Sequence, residues 1–320
     1  MMTSSLPFIE IYSPKKLDDL VDNKICINRL KTMLKNNNLN NMIITGPNGV
    51  GKTSSIYCLI NQYYKIKKDE LVLELNAADD RSINIIKNKI LNFAKLKHKE
   101  TEYKKIVILD ECDTMIDLSQ QSLKQIIENC TSTKFILICN NSENLIESLH
   151  SRCINLKFKK IEDKFVKERL KYICDNQKIN ITDKGLDGLV FISNGDMRQA
   201  INNLESIHNC YDIINYENIF KICEYPHPVI INNIFDLLID NKFNESIKEI
   251  EKLIEVGYSS FDIIYIIFKI IQEKENIEKL KKIEIIKEIS IIHLSILNGL
   301  DNKLQLLYLI EKINYIINKN

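Results

Sequence analysis

Residues 45–54 read TGPNGVGKTS, and few stretches of this length constrain a fold as tightly. The pattern G-x-x-x-x-G-K-[ST] falls on Gly46, Gly51, Lys52 and Thr53. It works only where a strand delivers the chain to the loop and a helix carries it away, so that backbone N–H groups meet phosphate oxygens at the positive end of a helix. Both flanks comply: Met42–Thr45 is a short apolar run, and a helical pattern starts near Thr53. The loop residues Gly46, Pro47, Asn48, Gly49, Val50 and Gly51, with Lys52, Thr53 and Ser54, are therefore candidates to hold the phosphates of a nucleotide. Lys52 reaches the β- and γ-phosphates, and the Thr53 hydroxyl ligates Mg²⁺.

The surrounding pattern suits that loop. Strand candidates are Met42–Thr45, Leu71–Leu75, Ile106–Leu109, Phe135–Cys139 and Ile154–Phe158, alternating with longer helical patterns. Nearly continuous apolar runs fit parallel strands covered on both faces, and the alternation predicts a doubly wound α/β domain. The second run ahead of an acid, KIVILDECD at 105–113, ends in Asp110 and Glu111. An acid at the C-terminal tip of a neighbouring parallel strand lies beside the phosphate loop. Asp110 is expected to hold the Mg²⁺ shell and Glu111 to polarise the attacking water. The next strand ends at Asn140, whose amide can position that water or meet the γ-phosphate.

After about residue 160 the strand signal stops. Phe165, Val166, Leu170 and Ile173 form a helical stripe, and Thr182 caps a helix carrying Leu186, Leu189 and Val190. In SNGDMRQAINNLE, Asp196 is the expected N-cap, with Met197, Ala200, Ile201 and Leu204 on one face. Arg198 sits off that face, free to reach a phosphate. YPHP at 225–228 is the strongest linker signal, since both prolines disfavour continued helix. Residues 229–320 read as all helix.

Composition removes other classes. A chain of 320 residues predicts two or three domains, and 45% hydrophobic residues supply ordinary cores. The net charge of +1 confines any nucleic-acid binding to local patches. Nine cysteines with no C-x-x-C spacing argue against a disulfide framework or zinc ribbon. The N-terminus lacks the pattern of a signal peptide. Ile263–Ile271, interrupted by Lys269, is too short to span a bilayer. An intracellular soluble protein is expected.

The ordered set GPNGVGKT, LDECD, CNNS, SRC and GDMRQA resembles the small subunits of replication factor C, the eukaryotic clamp loader of the AAA+ ATPases. The likeness continues through PFIEIYSPKKLDDLVDN at 7–23, ELNAADDRSI at 74–83 and IFKICEYPHP at 219–228, so it covers essentially the whole chain. It implies an α/β P-loop AAA+ core over 1–160 with a five-stranded parallel sheet, a helical lid over 161–225, and an all-helical collar over 226–320. In the family the collar holds five subunits in a heteropentameric ring.

Further roles follow from the resemblance alone. ATP with Mg²⁺ lies between core and lid, with Ile9, Tyr12 and Val21 near the adenine, Asn140 as strand-tip sensor and Arg198 as lid sensor. Arg152 of SRC is similar to the finger that reaches the γ-phosphate bound by the adjacent subunit. Arg81 and Lys87 match positions that track duplex phosphates of primer–template DNA without reading sequence, while a third such position is Asn144 here. The sliding clamp, proliferating cell nuclear antigen, is expected to meet Met115, Ile116 and Leu118. A nuclear location and no membrane association are implied. Ser13 replaces an arginine of the usual KYRP, and Asn48 and Val50 replace spacer residues of the loop.

Three competing readings are weaker. Another AAA+ DNA motor normally carries a different third domain. A ring subunit binding ATP only structurally has no use for Glu111 and Arg198. A cysteine hydrolase built on Cys153 and His150 lacks a third orienting residue.

Overall fold

The computed structural model describes residues 6–64, 68–77, 83–95, 104–223, 225–274 and 277–318. The expected strands form one parallel sheet: β1 Met42–Thr45, β2 Val72–Asn76, β3 Lys105–Asp110, β4 Thr133–Cys139 and β5 Ile154–Lys157, in the order β2-β3-β4-β1-β5. Central β1 and β4 are buried almost throughout. That is why unbroken apolar runs, not alternation, marked them. Edge strand β5 buries only Leu156.

The strand order decides which tips surround the phosphate loop. From β1 the chain crosses to the far edge at β2 and returns through β3 and β4. Thr45 therefore pairs with Cys139 on one side and Lys157 on the other. The acid-tipped strand β3 does not neighbour β1, contrary to the sequence expectation: β4 stands between them. Asn140, directly after β4, takes the adjacent place.

Beyond β5 come three helices, two of them with the expected caps. Asp163–Gln177 buries Val166, Leu170 and Ile173. Thr182 Oγ1 accepts from Gly185 N at 3.0 Å and starts Asp183–Ser193. Asp196 Oδ1 accepts from Gln199 N at 2.9 Å and starts Met197–Cys210. Each such cap contributes about 1 kcal/mol. One element went unforeseen: Asn180–Ile181 (β6) and Ile213–Ile214 (β7) form a short parallel ladder. Two-residue strands leave no periodicity to read.

Contacts divide the chain into Met1–Ile214 and Asn215–Asn320. The break precedes the YPHP segment because Tyr216 and Phe220, on the helix Tyr216–Ile222, pack their rings against His227. Pro228 opens the helix Pro228–Ile239, the first-turn position where a missing N–H costs nothing. The helices Phe243–Val256, Ser260–Glu273, Lys279–Leu297 and Lys303–Asn318 complete this unit. Phe235, Leu238, Ile263, Ile267 and Ile270 find their partners inside it and are buried, whereas Ile239 remains exposed. No helix among the described residues is long and apolar enough to cross a membrane.

His227 caps its helix through Nδ1, which accepts from Val229 N at 3.2 Å. Burial pulls its pKa below the ordinary value, opposed by Glu217. A histidine held neutral on folding takes up its proton more readily when unfolded. Its stabilising contribution is thus complete above about pH 6.5 and declines as the pH falls below that value. Thermal melting between pH 7 and 5 is expected to show this decline in the wild-type chain and a flatter profile in His227→Ala. Parallel profiles would refute the assignment.

Candidate active site

The site begins with a buried cation. Lys52 opens the helix Lys52–Tyr63 and is 9% exposed. Its ammonium donates to Gly46 O at 2.6 Å, Pro47 O at 2.7 Å and Asn140 Oδ1 at 2.8 Å. Burial lowers its pKa, and the nearby Asp110 carboxylate opposes that shift. All three direct acceptors are neutral, so the charge is solvated without being cancelled, an arrangement suited to an incoming anion.

Next to it, Thr53 Oγ1 donates to Asp110 Oδ2 at 3.1 Å. The intervening strand β4 has not kept these groups apart. A hydroxyl and a carboxylate in contact are hard oxygen ligands of the kind that hold Mg²⁺, which completes its shell with water and phosphate oxygens. Glu111 has the left-handed backbone angle φ +54°. Such strain costs about 1–3 kcal/mol in a non-glycine residue and collects at functional sites. The turn is fixed by Thr114, whose N–H and hydroxyl both donate to Glu111 O, at 3.0 and 2.8 Å.

The phosphate loop touches the third helix directly. Met197 N donates to Gly49 O at 3.1 Å. A Cβ on Gly49 would come within 1.7 Å of Asp196 Oδ1, and φ there is +64°. Only glycine satisfies both conditions.

Around these groups lies a cleft of about 240 Å³. Its phosphate end is lined by Asn48, Gly49, Val50, Gly51, Lys52, Thr53 and Ser54, with Asp110, Glu111, Asn140 and Arg198. Ile9, Tyr12 and Val21 line it too, beside Ser13 and Pro14. Gly46 and Pro47 do not line it; they act through the carbonyls that hold Lys52.

Several residues escaped the sequence reading. Arg169 lines the cleft and donates to Tyr12 O at 2.8 Å, while Gln177 Nε2 donates to the Tyr12 hydroxyl at 2.8 Å. Phe8 N donates to Glu205 Oε2 at 3.0 Å. The N-terminal segment is thereby fastened to the helices after the sheet. Asp113 Oδ2 accepts from both Asn140 N and Asn141 N at 3.1 Å, which fixes the β4 tip. Gln120, 1% exposed, donates to Met115 O and Asn144 O and accepts from Ile146 N. The one available signal was the last acid of LDECD, Asp113; the other partners lie far apart in sequence.

Other expected residues lie elsewhere. Arg152 is outside the cleft lining, at the turn into edge strand β5. Its Nη1 donates to Ser148 O at 2.8 Å and Ser151 Oγ at 3.1 Å, and its Nη2 pairs with Glu128. Cys153 packs against the sheet core, and burial pushes its thiol up to about 11. His150 spends its two ring nitrogens on Asn155 Oδ1 and Ser142 O. These two residues do not make a nucleophile and base. Met115 packs against the core, whereas Ile116 and Leu118 are 62% and 65% exposed. Arg81 lies outside the described residues, and Lys87 falls on the helix Ile83–Lys95.

Comparison with known proteins places this geometry. Residues 42–160 match the ATPase family associated with various cellular activities (AAA). Residues 168–208 match an RCF1/5-like AAA+ ATPase lid domain, and residues 226–312 the replication factor C C-terminal domain. The chain is 40% identical over 310 residues to a probable replication factor C subunit 2 of Dictyostelium discoideum, covering 96% of this chain and 92% of that protein.

The chain belongs to the replication factor C family.

It is 39% identical to replication factor C subunit 4 of Saccharomyces cerevisiae, covering 99% of this chain and 98% of that one. The resemblance drawn from the motifs is borne out, and with it the AAA+ ATPase class and nucleotide binding. The Thermotoga maritima RuvB Holliday junction branch migration motor shares the fold, with TM-score 0.55 and 16% identity over 71% of this chain and 80% of that one.

Within this replication factor C chain, Gly49→Ala is expected to weaken ATP binding about tenfold, from strain of roughly 1–3 kcal/mol. Adding Asp196→Ala should recover part of the loss, because the steric conflict goes and the positive φ stays. Calorimetric titration of nucleotide into both variants tests this; strictly additive losses would contradict it.

Proposed function

We propose that this chain is an ATPase subunit of a nuclear replication factor C heteropentamer, which opens the sliding clamp and releases it on primer–template DNA. The observation that carries the reading is a division of labour. Lys52, Thr53, Asp110, Glu111, Asn140 and Arg198 line one cleft, and Arg152 stands outside it.

In this reading Lys52 binds the β- and γ-phosphates, and Thr53 with Asp110 holds Mg²⁺, which offsets phosphate charge when bound. Glu111 orients and polarises the attacking water. Asn140, already on the Lys52 ammonium, senses the γ-phosphate from the sheet side, and Arg198 does so from the lid. Ile9, Tyr12 and Val21 enclose the adenine. Because Arg169 and Gln177 hold the Tyr12 segment, base and lid move together. Arg152 serves the γ-phosphate of the adjoining subunit, a contribution of roughly 10³–10⁵ in rate for an arginine supplied in trans.

The remaining surfaces follow. The core is taken as 1–160, the lid as 161–225 and the collar as 226–320. The helix Lys279–Leu297 leaves Leu280, Ile283, Leu294 and Leu297 at least 60% exposed, an apolar face suited to a neighbouring collar. Exposed Ile116 and Leu118, with Met115 behind them, are the clamp contact. Arg81 and Lys87 meet DNA phosphates.

Two variants in the assembled complex test the reading. Glu111→Gln in this subunit alone is expected to lower ATP turnover while ATP binding persists. Arg152→Ala is expected to leave this chain's own ATP affinity intact and slow hydrolysis next door. Unchanged turnover with the first, or lost ATP binding by the isolated chain with the second, would overturn it.

A further inference from the structure

Arg152 is not a loose side chain. Its guanidinium is held by Ser148 O and Ser151 Oγ on its own turn and by the Glu128 carboxylate on another element. Glu128 is the second-last residue of the helix Asp117–Asn129. An acid there faces the negative end of the helix dipole, a disfavoured placement. The helix has no basic residue in its last turn to offset it. The cation that does so comes from the turn before β5, across the surface.

An exposed ion pair contributes little to stability, and both side chains here are at least one-third exposed: 34% for Arg152 and 40% for Glu128. Stability is thus a poor reason for an acid in this place. Geometry gives a better one. Arginine carries five N–H donors in a rigid fork and gives up much rotamer freedom when fixed. One donor to each of Ser148, Ser151 and Glu128 fixes the plane of the guanidinium and leaves two for a phosphate.

We propose that Glu128 is the positioning residue for Arg152: it holds the guanidinium in the orientation in which it meets the γ-phosphate of the adjoining subunit. Glu128 touches neither nucleotide; it acts through the arginine, and removing it returns the fork to rotamer disorder. This rests on the assignment of Arg152 to the adjoining site.

The test uses the assembled complex with substitutions in this subunit only. Arg152→Ala defines the part of ATP turnover that depends on the arginine. Glu128→Gln, which keeps the size and removes the charge, is expected to slow that part about fivefold, the equivalent of roughly 1 kcal/mol. KM for ATP, this chain's own ATP affinity and complex assembly should stay unchanged. In the Arg152→Ala background, Glu128→Gln should have no further effect, whereas a purely structural role would still register. Unchanged or faster turnover with Glu128→Gln, while Arg152→Ala slows it, overturns this inference and leaves the Arg152 assignment standing. No effect of Arg152→Ala removes both.

Discussion

A buried ammonium governs the N-terminal unit. Lys52 sits at the start of its helix with three neutral oxygens around it. Two of those oxygens belong to the loop itself, so the cation gives the loop its shape, and the third ties the loop to the tip of β4. Because β4 neighbours β1, Asn140 can reach that cation. Because Asp113 fixes the backbone after β4, the Asn140 amide is not free to drift. A phosphate entering the cleft meets a charge whose neutral ligands are already in place, so little reorganisation is needed when the anion arrives.

The same loop meets the lid. Gly49 gives its carbonyl to Met197 N and its missing side chain to Asp196. Two residues past the cap, Arg198 lines the cleft. The chain's first helical segment is fastened to lid helices by Glu205, Arg169 and Gln177. Asn23 reaches the segment joining sheet to lid, exchanging hydrogen bonds with the Lys159 backbone at 2.8 and 3.0 Å. Asp22 Oδ2 accepts from Glu162 N at 3.1 Å, two residues before Lys164 on the first lid helix. Residues of the phosphate loop, the N-terminal segment and the helices after the sheet thus line one cleft.

What the sequence disclosed and what it hid divide along a physical line. The five strands, the Thr182 and Asp196 caps and the phosphate loop are local signals: each depends on residues within a turn or a strand of one another. The helical pattern already left Arg198 free to reach a phosphate, and the resemblance then supplied Ile9, Tyr12 and Val21; the cleft gathers all four from distant parts of the first unit. Strand order was hidden, so β3 was placed next to β1 when β4 intervenes. Gln120 and Arg169 were hidden too, since a buried glutamine or a half-buried arginine looks like any other helix residue until its partners are known. Glu128 is the extreme case: as a sequence feature it is a slightly misplaced acid, and only Arg152 gives it a purpose.

In the proposed function this chain binds its nucleotide with its own residues but depends on assembly for hydrolysis. The direct measurement is steady-state ATP turnover, with ATP affinity determined in parallel, for the chain alone and within the complete complex. Closely similar affinities are expected, with turnover that rises on assembly by a large part of the roughly 10³–10⁵ contributed by an arginine in trans. An isolated chain that hydrolyses ATP as fast as the complex would contradict it.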